Sequence, residues 1–516
     1  MDGQKEELGE YEDQTGRKVQ YGFRSACSQV TASVAQNFLL FSLGMSFGMP
    51  TVVVGVLDHK VATNLTLLET PELILSDEES SWLGSILFLF HPFGAVISGY
   101  LLEYVGRKRL MMAVGIPFFI GWLSLYLAQS VTFIMVGTIC MGLGVGCCEA
   151  PIISYIGEIS EPRMRGSLSL FAGAACNFGV LIIFLIYALT DWRSTMLVSS
   201  IFPILTMIMI AFIPESPTWL VSKGRLEEAE RSLRWVRGWS KKHKVQVEFD
   251  QLVKETKSAT LYEPDHEMGQ YLTNKKTQSS QFTQVCNYLI RPEILRPFNM
   301  IMILFFITII ASLQPMRPFL VEIFRTFGLP MKSEWVLVLT GILSITGSFV
   351  STITVNKFGK RGMSLWSTAI NTGFTLALSV CAMNLHWPGW VPLTIFCICF
   401  WVSGYGMLPL PWMLLSEVYP LQVRGVASGI TAATSSIVNF VATKTYINLT
   451  SWFGLHGTLF IYTSVSLLGF VYIYFYVPET EDRTLQEIMD FFGDSKRARD
   501  FKPSKENQSL KNSLVQ

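Results

Sequence analysis

Long apolar segments alternate with short polar ones along almost the whole chain. A helix needs about 20 mostly apolar residues to cross the hydrocarbon core of a bilayer. Segments of this kind occur six times, then a polar stretch follows, and then six more occur. The predicted spans are 30–56, 80–101, 110–129, 133–156, 167–189, 195–213, 297–321, 335–355, 364–384, 391–415, 426–447 and 456–477. The pattern predicts an all-α membrane protein with twelve transmembrane helices.

The polar stretch after the sixth span divides the chain into two halves of similar pattern. It begins with acids and bases at helical spacing over 225–234, which favours short amphipathic helices on the membrane face; a solvated linker is the alternative. The expected organisation is a tail over 1–29, a six-helix bundle over 30–213, a helical linker over 214–296, a second six-helix bundle over 297–477 and a tail over 478–516.

The composition agrees with lipid as the surrounding solvent. Half of the 516 residues are apolar and only 15% are charged, against about 25% in soluble domains. The formal net charge of +1 gives no basic surface for a polyanion, so no nucleic-acid partner is expected. The nine cysteines fall in spans or on the inner side, so neither a disulfide framework nor a metal site is expected. We find no hydrolase motif and expect neither a cofactor nor an enzymatic activity.

The loops between the spans differ in charge, and this difference predicts the orientation. Lys and Arg concentrate in the loops after spans 2, 4, 8 and 10, whereas the first loop on the other side is acidic. Because basic loops stay in the cytosol, both termini are expected there. We expect a multi-pass protein of the cell membrane, and we expect it to be a monomer. Two sequons, at Asn64 and Asn448, fall in loops assigned to the outside and are candidate glycosylation sites.

The two halves carry the same charged motifs in the same order. The paired positions are Gly106 with Gly359, Glu158 with Glu417, and Glu215 with Glu479, at offsets of 253, 259 and 264 residues. Carboxylates beside cations at helix ends form charge-assisted hydrogen bonds, which break and re-form when two bundles rock about a central site. A cytosolic gate is therefore predicted from Glu103, Arg107, Lys108, Glu158, Arg165, Glu215, Lys360, Arg361, Glu417, Arg424 and Glu479. The alternative is that these charges only orient the helices during insertion.

Five motifs spread along the chain carry a family resemblance. They are Tyr155-x-Gly157-Glu158, Pro214-Glu215-Ser216-Pro217-x-Trp219-Leu220, Pro409-x-Pro411-Trp412, Thr443-Lys444-Thr445 and Pro478-Glu479-Thr480-x-x-Arg483-Thr484-Leu485. On these residues the chain resembles the sugar porter family of the major facilitator superfamily, and within it the facilitated trehalose transporters of insects. The resemblance implies the major facilitator fold, with two pseudo-symmetric six-helix bundles, and transport of a small solute through a site at the membrane midplane.

The sugar-contacting positions of that family are only partly kept in this chain. The solute-binding candidates are Trp412 and Asn439, which match the family, together with Gln314, Asn177 and Gln36. The family's pair of glutamines in span 7 is replaced by Thr308 and Ile309, and its span 8 asparagine by Ser344. Each lost hydrogen bond removes about 0.5–1.5 kcal/mol of binding free energy. We therefore expect a poor glucose carrier whose solute is a disaccharide or a less hydroxyl-rich molecule.

Arg317, Lys444, His91 and Glu149 are ionisable side chains that fall inside predicted spans. Arg317 and Lys444 are near the outer ends, where snorkelling to the headgroups explains them. His91 and Glu149 lie deeper, and they form either a proton-sensitive site lining the cavity or a satisfied structural pair inside the N-terminal bundle. Span 1 lacks the carboxylate that proton-coupled relatives carry there, which favours facilitated diffusion.

The predicted function is facilitative transport of a small polar solute, a sugar such as trehalose, by alternating access between the two bundles. One alternative is a non-transporting solute sensor on the same scaffold, because the sugar site is eroded. Another is a carrier of a non-sugar organic solute. The short segment after Pro478 favours the carrier, because sensors of this type carry long cytosolic tails.

Overall fold

The computed structural model describes residues 22–58, 73–261, 292–384, 386–415, 417–419, 424–480 and 491–492. The first half contains α1 (Phe23–Leu57), α2 (Asp77–Val105), α3 (Arg107–Tyr126), α4 (Val131–Ile159), α5 (Pro162–Leu189), α6 (Trp192–Ser199) and α7 (Ile201–Ala211). The linker contains α8 (Pro217–Ser222), α9 (Leu226–Val236) and α10 (Lys242–Leu261). The second half contains α11 (Pro292–Ala311), α12 (Leu320–Thr326), α13 (Ser333–Phe358), α14 (Lys360–Met383), α15 (Trp390–Val402), α16 (Pro409–Leu415) and α17 (Arg424–Tyr476).

The helices account for the twelve predicted spans. Ten of the described segments are long and apolar enough to cross a membrane. One of them, Ala427–Tyr476, contains two predicted spans in a row, because α17 turns at Gly454, whose φ is 68°. The described part of α5 adds a shorter apolar helix, Gly173–Leu189. The fold class predicted from the hydrophobic pattern is therefore confirmed.

The first helix is longer than the hydrophobic pattern predicted, since α1 begins at Phe23 rather than at residue 30. Its first turns are polar but paired: the Ser25 hydroxyl donates to Glu161 Oε1 at 2.6 Å. Gln29 Nε2 donates to the same carboxylate oxygen at 2.7 Å. A hydropathy pattern cannot detect these bonds, because their acceptor lies more than 130 residues further along the chain.

Glycines allow the helices of the first half to approach one another closely. A Cβ built at Gly44 on α1 would lie 1.9 Å from the carbonyl oxygen of Cys176 on α5. A Cβ built at Gly179 on α5 would lie 2.1 Å from the carbonyl oxygen of Phe41 on α1. Small residues that let backbones touch are typical of membrane helix interfaces. The α1–α5 interface therefore requires glycine on both sides.

The described part of the linker is helical, which fits the predicted amphipathic helices better than the alternative of a solvated linker. Trp219, Leu233 and Phe249 form part of a small apolar core of its own. The Ser28 hydroxyl of α1 donates to the Trp235 carbonyl oxygen at 2.6 Å. The linker is thus docked on the first half rather than suspended from it.

Replacing Arg237 with alanine is expected to cost the docked linker about 3–5 kcal/mol, because Glu248 would remain buried without its counter-charge. Arg237 Nη2 lies 2.6 Å from Glu248 Oε1, with both side chains about 5% exposed, and Arg237 Nη1 donates to the Ile159 carbonyl oxygen at 3.0 Å. Limited proteolysis and thermal unfolding of the purified chain measure the effect. The matched control is Lys242→Ala, which removes a largely exposed cation paired with Glu230 and should cost below about 1 kcal/mol. Equal effects of the two variants would contradict the assignment.

Candidate solute pathway and gates

The predicted gate residues of the first half meet where α2, α3, α4 and the linker come together. Arg107 Nη2 lies 3.0 Å from Glu158 Oε1 and 3.2 Å from Glu103 Oε1. Arg107 is buried, so its charge requires a partner of this kind. Glu158 also accepts hydrogen bonds from the hydroxyls of Ser154 and Ser216. The ion pair therefore joins the start of α3 to the end of α4 and to the linker.

Glu215 closes the corner between α2 and α3. Gly106 at this corner has a φ of 95°, a left-handed conformation that favours glycine. Glu215 Oε1 accepts from the backbone N–H of Lys108 at 2.9 Å, and a Cβ at Gly106 would lie 2.6 Å from the same carboxylate. A carboxylate at a helix N-terminus satisfies free N–H groups and complements the helix dipole. Glu215 thus caps α3.

The second half repeats this arrangement with its own residues. Gly359, between α13 and α14, has a φ of 70°, and Glu479 accepts from the backbone N–H groups of Lys360 and Arg361 at 3.1 and 3.2 Å. The Lys360 ammonium lies 2.5 Å from Glu417 Oε1, which is the counterpart of the pair between α3 and α4. The internal duplication read from the sequence is therefore a structural one.

The described gate contacts remain within one half of the molecule. The sequence predicted pairs that join helices at the mouth, and the pairs seen join helices of the same bundle. Among the side chains that the structure describes, no ion pair connects the two halves at the linker end. Two predicted members, Arg165 and Arg424, lie outside the described side chains.

The two halves contact each other toward the ends of the helices that lie away from the linker. The Thr51 hydroxyl on α1 donates to the Arg317 carbonyl oxygen at 3.0 Å. The Ser81 hydroxyl on α2 donates to the Lys444 carbonyl oxygen at 2.8 Å, and the Lys444 ammonium lies 4.2 Å from the centre of the Trp82 ring. These contacts close one end of the space between the halves, which we call the closed end.

Two of the predicted solute residues sit inside the bundles. Gln36 on α1 is fully buried, and neither atom of its side-chain amide has a hydrogen-bond partner. Burying an unpaired amide is costly, so a polar ligand would relieve that cost. Asn177 on α5 donates to the Ser348 hydroxyl on α13 at 3.2 Å, which connects the two halves near mid-membrane.

The other three candidates belong to the second half. Gln314 begins the 3-10 turn Gln314–Phe319 that follows α11 and is partly buried. Trp412 on α16 is 47% exposed and packs edge-on against Phe305, with ring centres 5.2 Å apart. Asn439 on α17 is also partly exposed. Within the described part of the chain, the five candidates make no hydrogen bonds with one another.

His91 and Glu149 form a pair, as expected if they are a structural pair rather than two separate groups. His91 Nε2 lies 3.1 Å from Glu149 Oε1, and the His91 ring is buried. The pair is not confined to the first half, because His91 Nδ1 lies 2.7 Å from the Ser436 hydroxyl on α17. Sequence reasoning missed Ser436, since a lone serine in an apolar span gives no signal of its partner.

Two expectations about the outer segments were wrong. Arg317 does not extend freely to the headgroups, because its Nε is buried in protein. Asn448 is exposed but lies within α17 rather than in a loop, since the helix continues past the end of the predicted span. The other sequon asparagine, Asn64, lies outside the described residues.

A cavity of about 640 Å³ lies at the linker end, away from the closed end. Arg109, Trp219, Arg231 and Trp235 are among the residues that line it. In the parts of the chain that the structure covers, no group of His, Cys, Asp or Glu side chains has the arrangement of a metal site. The cavity lies between α3 and the linker, so it is separate from the polar groups between the two halves, which are the candidates for contact with a solute.

Comparison with known proteins agrees with the fold and the duplicated motifs. Facilitated trehalose transporter Tret1 from Bombyx mori is 27% identical over 93% of this chain and 90% of its own length. The protein of the same name from Culex quinquefasciatus is 28% identical over 90% of this chain and 88% of its own. The chain spans 54% of the length of the Aedes aegypti Tret1, at 27% identity over 87% of this chain.

Solved structures show the same fold. The inward-open conformation of the xylose transporter XylE from E. coli superposes with a TM-score of 0.68 at 19% identity, over 90% of this chain and 99% of that one. A partially occluded inward-open conformation of the same transporter also gives 0.68. The sequence model described as "Sugar (and other) transporter" matches residues 29–492. The chain therefore belongs to the sugar transporter family, as a multi-pass membrane protein of the major facilitator fold.

Proposed function

We propose that the protein carries a sugar across the membrane by facilitated diffusion, with trehalose or a related disaccharide as its solute. The observation that carries this proposal is the contrast between the two ends of the molecule. Polar contacts join the halves at the closed end, whereas the described gate pairs at the linker end stay within one half. A central site reached from one side at a time is what alternating access requires.

The chemistry of the central region supports a polar solute. Gln36 offers an amide with no protein partner, and Trp412 offers a partly exposed ring, a surface on which a sugar ring can stack. The proposed solute site consists of Gln36, Asn177, Gln314, Trp412 and Asn439. The names of the insect relatives, which are facilitated trehalose transporters, favour a disaccharide.

The remaining parts of the proposal concern organisation. We place both termini and the linker in the cytosol, in the cell membrane, with bundles over 30–213 and 297–477 acting as a monomer. The duplicated pairs Arg107–Glu158 and Lys360–Glu417 are proposed to act as the cytosolic gate. Glycosylation at Asn448 stays a prediction, as does a proton-sensitive role for His91.

Saturable trehalose uptake into proteoliposomes containing the purified chain tests this function. We expect trehalose uptake to saturate and D-glucose uptake to remain at least about tenfold slower at low millimolar concentration, because two or more amide contacts of about 1 kcal/mol each are missing. Saturable glucose uptake at the trehalose rate would contradict the selectivity. Uptake of both sugars no faster than into protein-free liposomes would contradict the function.

A further inference from the structure

Arg317 carries a charge that the structure leaves unpaired. It lies in the 3-10 turn between α11 and α12, and its side chain is partly buried. Its Nε is buried without a hydrogen-bond partner. Its guanidinium makes no ion pair with any side chain that the structure describes. An isolated buried charge costs several kcal/mol, so a group of this kind inside a membrane protein indicates a function.

The position of Arg317 places this charge between the two halves. Its backbone carbonyl oxygen accepts the hydrogen bond from Thr51 on α1, and the next residue, Pro318, packs where Gly84 on α2 lacks a side chain. The guanidinium extends from there to within electrostatic reach of Cys176. Cys176 lies midway along α5, next to Gly44 on α1. The charge is therefore near mid-membrane, on the inner side of the closed end.

Among the side chains that the structure describes, none supplies a carboxylate within ion-pair distance of Arg317. Cys176 is a free thiol, and a thiol in apolar surroundings stays protonated and uncharged. Glu149, on α4, is already paired with His91, whose Nε2 lies 3.1 Å from Glu149 Oε1. Arg317 keeps a partly accessible surface although its Nε is buried, so a ligand can reach its guanidinium.

We propose that the carrier also takes sugar acids, a second class of solute, and that Arg317 binds their carboxylate. The inference rests on the proposed function, because it adds this second class of solute to that same site. A guanidinium presents a planar fork of donors that matches a carboxylate in a bidentate geometry. Asn177 lies next to Cys176 in sequence, and its amide is placed to contact the hydroxyl groups of the same molecule. The charge on Arg317 then strengthens the binding of a sugar acid relative to a neutral sugar of the same size.

The membrane potential provides a test that needs no variant. Proteoliposomes containing the full chain are given a potassium-diffusion potential, and uptake of labelled D-glucuronate and trehalose is followed to equilibrium. We expect saturable D-glucuronate uptake whose equilibrium accumulation changes about tenfold for about 60 mV, as a single charge requires. Trehalose accumulation should not respond to the potential. If trehalose is taken up while D-glucuronate is neither taken up nor inhibitory, the inference is overturned and the proposed function remains intact. Uptake of neither compound would overturn both.

Substitution tests the residue itself. Arg317→Gln should lower the ratio of D-glucuronate to trehalose uptake at least about tenfold, the range for a lost charged hydrogen bond. Arg317→Lys keeps the positive charge but lacks the planar pair of guanidinium donors, so it should give an intermediate ratio. This variant replaces Arg317→Gln in the test if Arg317→Gln does not fold. Arg325→Gln is the matched control, because it removes an exposed cation from α12 and should leave the ratio unchanged. An unchanged ratio in both Arg317 variants would overturn the assignment.

A competition experiment distinguishes a carboxylate from a phosphate as the group that Arg317 binds. D-Glucose 6-phosphate presents a larger, more strongly charged group on the same ring. We expect it to inhibit D-glucuronate uptake more weakly than unlabelled D-glucuronate does at equal concentration. Stronger inhibition by the phosphate would overturn the assignment to a carboxylate.

Discussion

Replacing Gly179 with valine is expected to prevent stable packing of the first half. A Cβ at this position would lie 2.1 Å from the carbonyl oxygen of Phe41 and 2.8 Å from the backbone nitrogen of Met45. Both obstacles are backbone atoms of a helix, so neither can rotate away as a side chain could. We expect a loss of about 3 kcal/mol or more, at the upper end of the range for overpacked cores. The melting temperature and the yield of monodisperse protein in detergent measure this loss.

The control for this variant lies on the same helix. Gly173→Val adds the same side chain to α5, at a position where a Cβ meets nothing within 4 Å. Both substitutions carry the same cost in helix propensity, so their difference isolates the contact with α1. We expect the Gly173 variant to behave like the parent protein. Equal melting temperatures for the two variants would show that α1 and α5 do not touch at Gly179.

A cross-link across the closed end is expected to stop transport completely. A Cβ at Gly84 on α2 would lie 3.0 Å from the Cβ of Pro318, and disulfides join Cβ atoms about 3.5–4.5 Å apart. The double variant Gly84→Cys, Pro318→Cys should therefore form a disulfide after a small adjustment. Because alternating access requires this end to open, oxidation should abolish trehalose uptake, and a reductant should restore it.

The single-cysteine variants serve as controls for this cross-link. Eight described cysteines are free thiols, so oxidation can also act on native residues. Each single variant should retain its uptake under the same oxidising conditions. Full uptake by the oxidised double variant, with the disulfide confirmed by mass spectrometry, would mean that the closed end does not open during transport.

The fold was predictable from the sequence because membrane spans and duplicated motifs are local signals. A run of apolar residues identifies a spanning helix without reference to the rest of the chain. The motifs around Gly106 and Gly359 could be paired because the second copy supplied an internal control. The capping role of Glu215 was less accessible, since its partner Lys108 lies more than 100 residues earlier. The sequence predicted a charged cluster there but not the helix cap.

The candidate site was predictable only in part because side-chain direction decides it. Hydropathy places Arg317 near the end of a span, where snorkelling is the ordinary outcome. In the 3-10 turn after α11 the Arg317 Nε is instead buried in protein. Contacts between the halves, such as His91 with Ser436, join residues more than 300 positions apart. No pattern within a single helix reveals such a pair.

Counterflow of labelled trehalose tests the central claim most directly. Proteoliposomes containing the purified chain are loaded with unlabelled trehalose and diluted into a trace of labelled trehalose. A carrier that exposes one site to each side in turn should accumulate label transiently above its equilibrium level, because outward-moving solute returns the site for inward transport. We predict this overshoot in loaded vesicles and its absence in unloaded ones. Equal, monotonic uptake in both, or uptake no faster than in protein-free liposomes, would contradict the account.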